Sequence, residues 1–66
     1  MKNNLKMQRA LKGVTQKELA TEIGVSRQSI VAIEQGKYVP STVLALKFAR
    51  FFEIEVEDIF ELEKED

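Results

Sequence analysis

The side chains best suited to chemistry in this chain lie in the stretch GVSRQSIVAIEQGK. On a helix, which advances about 100° per residue, Ile30 and Ile33 share one face, and Arg27, Gln28 and Val31 lie on the opposite side. An arginine donates paired hydrogen bonds to guanine, a glutamine pairs with adenine, and an apolar side chain contacts the methyl group of thymine. This outer face therefore predicts contact with DNA bases. Solvated polar residues and a tolerated surface valine are the alternative.

A second group of polar residues flanks that face and is suited to bind phosphate. Gln16 would open the preceding helix, where unpaired N–H groups and the positive end of the helix dipole favour an anion. Ser26 is foremost a helix cap. For each lysine, a freely solvated charge is the alternative interpretation. The predicted phosphate contacts are Gln16, Lys17, Ser26, Ser29, Lys37 and Tyr38.

The charges of the chain are divided between its two parts. Residues 1–52 hold nine of the ten basic residues and three of the eleven acidic ones, which gives a net charge of +6. Residues 53–66 hold the other eight acidic residues and one lysine, which gives −7. A basic part suits a polyanionic partner, and we expect the acidic C-terminal segment, residues 53–66, to face away from it. A solvated run that aids solubility is the alternative.

The composition argues against several classes of protein. The chain has no cysteine and no histidine, so disulfides, thiolate chemistry and the commonest metal ligand are missing. The acidic segment lacks the glycine and spacing of a calcium loop, and no nucleophile–base pair is present. We expect no enzyme, no cofactor and no metal site. No window approaches the roughly 20 apolar residues of a membrane span, so we expect a cytoplasmic protein without membrane contact.

Helix signals divide the chain into short elements of one domain, residues 1–66. Thr15 and Glu18 have the spacing of a capping box, and Gly13 is suited to end the helix before it. The segments MKNNL and FELEK permit a small antiparallel sheet between the chain ends. The expected fold class is all-α, and the predicted helices are Leu5–Lys12, Gln16–Ile23, a third from the Ser26 cap to about Gln35, Thr42–Phe52 and a short fifth over Val56–Ile59.

The second and third helices form the most specific pattern in the chain. Gly24, Val25 and Ser26 make a short turn between them, and Ala20 allows close approach. The stretch TQKELATEIGVSRQSIVAIEQGKYVPS, followed by LALKFA and VEDIF, resembles the lambda-repressor and Cro-like helix-turn-helix family of transcription regulators, with the helix-turn-helix over residues 16–35. Within it, the chain is similar to short stand-alone dimeric repressors such as the cytolysin-operon repressor. The resemblance implies five helices and a small sheet from the chain ends.

The resemblance also implies roles for particular residues. The N-terminal part of the third helix, with Arg27, would enter the major groove of double-stranded DNA. The family uses a glutamine at the position of Gln16 to bind phosphate. Arg9 matches the family position that pairs with a glutamate at the position of Glu34, where an unpartnered, partly buried carboxylate would be unfavourable. We therefore expect a structural Arg9–Glu34 ion pair.

The fourth helix indicates a dimer. Its core face holds Leu44, Phe48 and Phe52, whereas Val43 and Leu46 lie on the other side. A two-fold interface would cover them and set two recognition helices about one DNA turn, roughly 34 Å, apart. An ordinary exposed patch is the alternative. The predicted interface residues are Val43, Leu46, Phe51, Ile59, Phe60 and Leu62.

Together these features predict a sequence-specific DNA-binding transcriptional regulator, a repressor that binds a palindromic operator as a homodimer. A protein-interaction module or antitoxin-like partner with the same fold is the alternative. Salt separates the two, because a DNA binder loses affinity steeply as the salt concentration rises.

Overall fold

Four helices and one small sheet make up the fold in a computed structural model that describes residues 1–66. The sheet is antiparallel and pairs Lys2 with Glu61 and Asn3 with Phe60. The fold is therefore mostly helical rather than all-α, and the sheet that the chain ends permit is present. The elements are β1 (Lys2–Asn3), α1 (Leu5–Lys12), α2 (Gln16–Ile23), α3 (Arg27–Glu34), α4 (Thr42–Phe52) and β2 (Phe60–Glu61).

Local signals set the limits of the helices. The Thr15 side chain accepts a hydrogen bond from the Glu18 N–H at 3.0 Å, and the Glu18 carboxylate accepts one from the Thr15 N–H at 2.9 Å. Ser26 and Ser41 cap α3 and α4 through their hydroxyl groups. Gly24 ends α2 with a φ of 89°, a left-handed conformation that glycine adopts without steric cost. The predicted bounds of α1, α2 and α4 are confirmed, and α3 ends one residue earlier than expected.

The prediction of a fifth helix over Val56–Ile59 is wrong, because the structure has a three-residue 3₁₀ turn there, Val56–Asp58. Its hydrogen bonds join residues three apart in the chain. After this turn the chain enters the sheet, and the Ile59 carbonyl accepts a hydrogen bond from the N–H of Asn4 at 3.0 Å. That bond starts the pairing of the two chain ends.

The hydrophobic core joins the sheet to the helices. The Phe60 ring of β2 packs against the Phe48 ring of α4, with centroids 6.1 Å apart. Helix α3 packs against α2 and α1 with its inner face, so its opposite face points to solvent. No helix has both the length and the apolar character that crossing a membrane requires. The largest side chains with no exposed surface are Leu5, Leu19, Ile30, Ile33 and Phe48.

Candidate nucleic-acid interface

The face of α3 opposite the core carries the residues that the sequence predicts to contact bases. Ile30 and Ile33 have no exposed surface, whereas Arg27 and Gln28 are exposed and Val31 is half-buried. The three outer residues lie on one side of the helix, as the helical repeat requires. They present two hydrogen-bonding groups and one apolar surface, the groups that distinguish base edges in the major groove.

The turn before α3 is held by hydrogen bonds between residues close to one another in the sequence. The Val25 N–H donates to the Ala20 carbonyl at 3.0 Å. The Ser26 hydroxyl accepts from the Ser29 N–H at 3.2 Å and lies 3.1 Å from the Ser29 hydroxyl. Both serine hydroxyls that the sequence assigns to phosphate are therefore engaged with each other, and Ser26 remains exposed.

An ion pair behind α3 holds its last turn. Arg9 Nε donates to Glu34 Oε2 at 2.8 Å, and the two side chains are 16% and 6% exposed. A second Arg9 nitrogen donates to the Val14 carbonyl at 3.1 Å. The structure thus brings together the two residues paired from the sequence, at a depth where an unpaired carboxylate would be strongly destabilising.

Gln16 extends this ion pair to the start of α3. Its Nε2 donates to Glu34 Oε1 at 3.1 Å, and its Oε1 accepts a hydrogen bond from Arg27 at 3.3 Å. The amide nitrogen has two N–H donors and uses one here, so the other stays available to an anion beside the backbone N–H groups at the start of α2. Sequence reasoning missed this bridge, since its partners lie 18 and 11 residues away and no local pattern marks them.

Basic residues line an open depression at the N-terminal end of α2. No acidic side chain takes part in its lining. Glu34 balances the charge of Arg9, and Lys17 and Arg27 are left without an acidic partner. Lys17 beside the positive end of the α2 dipole suits a phosphate group, and Arg27 lies where the depression meets the start of α3. The lining residues are Arg9, Gly13, Val14, Thr15, Gln16, Lys17 and Arg27.

The other end of α3 presents Lys37 and Tyr38, which are both exposed. Gly36 has a φ of 74°, and its N–H donates to the Ile33 carbonyl at 2.9 Å. The Lys37 N–H donates to the Ala32 carbonyl at 2.9 Å. These bonds turn the chain sharply after α3 and keep both side chains near its C-terminal end.

The acidic segment makes charge contacts with the N-terminal end of the chain. The Met1 α-ammonium lies 2.9 Å from the Glu63 carboxylate and 3.1 Å from that of Asp66. Hydrogen bonds to these carboxylates raise the pKa of the Met1 amino group. The Glu63 backbone N–H, followed by the Met1 ammonium, lowers the pKa of Asp66. No three His, Cys, Asp or Glu side chains are arranged to hold a metal ion.

The residues predicted for a dimer interface fall into two groups. Val43, Leu46 and Leu62 are 64%, 57% and 76% exposed, whereas Ile59 and Phe60 are 2% and 6% exposed. The expectation that Ile59 and Phe60 lie at an interface with a second copy is wrong, because both side chains are buried in the core of the same chain. Phe60 pairs with Asn3 in the sheet, and the carbonyl of Ile59 accepts the N–H of Asn4 just before it.

Phe51, the sixth predicted interface residue, is half-buried and faces another neighbour. Lys12 Nζ lies 4.9 Å from its ring centroid, and the Phe52 ring meets it edge-on at 5.0 Å. Phe51 follows Leu46 by five positions, so the two side chains lie about 140° apart around the axis of α4. Leu46 instead shares a shallow apolar depression with Val39, an exposed residue that the sequence analysis overlooked because it lies outside any helix.

Several known proteins are similar to this chain in sequence or in structure. The helix-turn-helix family model (HTH_3) matches residues 5–59. The chain is 56% identical over 66 residues to an HTH-type transcriptional regulator of Methanocaldococcus jannaschii, and 48% identical to HTH-type transcriptional regulator YgzD of Bacillus subtilis; each match covers 100% of both chains. Such regulators are not enzymes. The restriction-modification controller protein C.AhdI from Aeromonas hydrophila has a similar structure, with a TM-score of 0.77 and 34% identity, over 85% of each chain.

Proposed function

This chain belongs to the helix-turn-helix family of lambda-repressor and Cro-like transcriptional regulators, and we propose that it reads a specific DNA sequence with the outer face of α3. The family binds double-stranded DNA. The proposal concerns which residues of this chain make the contacts, in which oligomeric state, and with what effect on transcription.

The position of Arg27 carries the proposal. Its guanidinium is exposed at the first helical position of α3 and donates one hydrogen bond to Gln16. An arginine has five N–H donors, so enough remain for a paired contact with guanine. Gln28 beside it would contact adenine, and Val31 one turn later would contact a thymine methyl group.

Phosphate contacts at both ends of α3 would fix its register on the duplex. At one end lie Gln16, Lys17 and the free N–H groups at the start of α2. At the other end lie Lys37 and Tyr38. Such contacts orient a protein without reading sequence. Ser26 and Ser29 would add hydroxyl contacts beside the first turn of α3.

We further propose that the chain acts as a homodimer through the exposed residues Val39, Val43 and Leu46, together with Leu62. Covering apolar side chains of this size is favourable, and an isologous interface covers the same residues on both copies. Two α3 helices about 34 Å apart would read inverted half-sites, which makes the operator palindromic. A dimer that covers promoter DNA would exclude the polymerase, so the proposed effect is repression.

A salt titration on selected DNA tests the proposal. Genomic fragments retained by the protein would supply a binding site, and fluorescence anisotropy would give Kd at several salt concentrations. We expect a steep linear fall of log affinity with log salt, and a slope that falls by about one for Lys37→Ala. Lys6→Ala, which removes an exposed lysine from α1, should leave the slope unchanged.

The opposite result would favour another function. An affinity that does not change with salt, or the absence of any retained fragment, contradicts DNA binding. Either would favour a protein-interaction module that uses the same fold.

A further inference from the structure

The C-terminal end of α3 is tied to the chain-end sheet by a single side chain. Asn3 Nδ2 donates to the Ile33 carbonyl at 2.8 Å, across 30 residues of sequence. The same carbonyl accepts the Gly36 N–H at 2.9 Å. Carbonyls in the last turn of a helix have no intrahelical partner, so two donors on one of them fix the position of that turn.

The Asn3 amide is held at both ends. Its Oδ1 accepts the Leu5 N–H at 3.1 Å, and its backbone pairs with Phe60 in the sheet. Rotating the amide by 180° would set its NH₂ group against the Leu5 N–H and its oxygen against the Ile33 carbonyl, so only one orientation satisfies both partners. Asn3 therefore connects β1, the start of α1 and the end of α3.

We infer that Asn3 is a positioning residue for the turn that presents Lys37 and Tyr38 to phosphate. This inference rests on the proposed DNA contacts. Gly36, which lies in that turn, shares the Ile33 carbonyl with Asn3. The Asn3 hydrogen bond thus makes the backbone of the phosphate-contacting turn depend on the sheet formed by the chain ends.

Asn4 provides a matched control. Its Nδ2 donates to the Asp58 carbonyl at 2.9 Å, which is the same kind of bond at nearly the same distance. That bond ends on the 3₁₀ turn and not on α3. Because the Asn4 Oδ1 has no partner, Asn4→Ala removes one hydrogen bond, whereas Asn3→Ala removes two.

A second pair of variants separates the two bonds of Asn3. Asn3→Asp keeps an oxygen for the Leu5 N–H and replaces the donor to Ile33 with a carboxylate oxygen that the Ile33 carbonyl repels. Asn4→Asp adds the same negative charge one residue away and removes the donor to Asp58. A difference between these two variants therefore reports the bond to α3 rather than the added charge or the start of α1.

The test combines amide hydrogen exchange with DNA binding by the full chain. In Asn3→Ala and Asn3→Asp, exchange of the Gly36 and Lys37 amides should rise by about fivefold, the effect of losing one hydrogen bond. Both variants should also bind selected DNA several times more weakly, with the log–log salt slope reduced by about one. The Asn4 variants should match wild-type protein in exchange at these two amides and in salt slope.

The outcomes are distinguishable from one another. If wild-type protein binds no DNA, the proposed function fails. If wild-type protein binds DNA but the Asn3 and Asn4 variants change exchange and salt slope equally, the role of Asn3 is overturned. Unchanged exchange at Gly36 and Lys37 in the Asn3 variants overturns it as well.

Discussion

The helix-turn-helix and the acidic C-terminal segment differ in how many acidic side chains they carry and in where those side chains lie. In the first, Glu34 is nearly buried and neutralised by Arg9, which leaves Lys17 and Arg27 unopposed at the depression beside α2. In the second, residues 53–66 hold eight carboxylates and one lysine, and only Glu61, Glu63 and Asp66 contact a cation, which lies at the N-terminal end of the chain. The uneven distribution of acidic groups along the chain, rather than the overall charge of −1, decides which surface can meet a polyanion.

Removing the Arg9–Glu34 ion pair should have the largest effect, because it destabilises the basic region itself. Arg9→Ala leaves Glu34 buried without a cation, so we expect the free energy of unfolding to fall by about 3–5 kcal/mol. Urea denaturation in the cold measures this loss. Lys6→Ala, which removes an exposed lysine from α1, should change stability little. An Arg9→Ala variant as stable as wild-type protein would contradict a structural role for the pair.

A carboxylate on the apolar side of α4 should break the proposed dimer. We expect Leu46→Glu to sediment as a monomer at concentrations where wild-type protein is dimeric, because burying an unpaired charge opposes association. Leu11→Glu makes the same change at a residue of α1 that is 75% exposed. It should remain dimeric. If Leu46→Glu remains dimeric, the interface lies elsewhere on the protein.

Arg27→Ala should change the DNA sequence preference of the basic region. We expect a loss of about 1–3 kcal/mol in binding, confined to one base position of the site. Competition between single-base variants of a selected duplex measures this loss. Lys6→Ala removes an equal charge from α1 as the control. Equal weakening on every duplex would reassign Arg27 to a phosphate contact.

The smallest expected effect concerns the start of α2. Hydrogen bonds from the Thr15 backbone and side chain lower the pKa of Glu18 below its ordinary 4.5. Because the folded-state pKa is the lower one, the stabilisation is present above the ordinary value and is lost as pH falls through the folded value. Wild-type protein should thus lose more stability on acidification than Glu18→Gln. Glu22→Gln, on the same helix but outside the capping box, should behave like wild-type protein.

Much of the helix-turn-helix can be predicted from the sequence because its signals are local. Thr15 with Glu18, the serine caps and Gly24 fix the helices within a few residues of themselves. The helical repeat then sets Ile30 against the core and Arg27 toward solvent. The identity of the outward-facing residues therefore follows from sequence alone, and their contacts with DNA stay a prediction.

The chain ends and the bridges between elements could not be predicted in the same way. Two-residue strands are too short to show a period, and VEDIF fits a helix as well as it fits a 3₁₀ turn followed by core residues. The burial of Phe60 depends on pairing with Asn3, 57 positions earlier. The links from Gln16 to Arg27 and from Asn3 to Ile33 also arise only once the helices have packed.

Chemical-shift mapping with a selected DNA duplex tests the central claim most directly. The account predicts shifts of amide resonances in residues 16–17, 26–31 and 36–38, with residues 60–66 unchanged. Shifts concentrated in the acidic C-terminal segment, or no shift with any selected duplex, would contradict it.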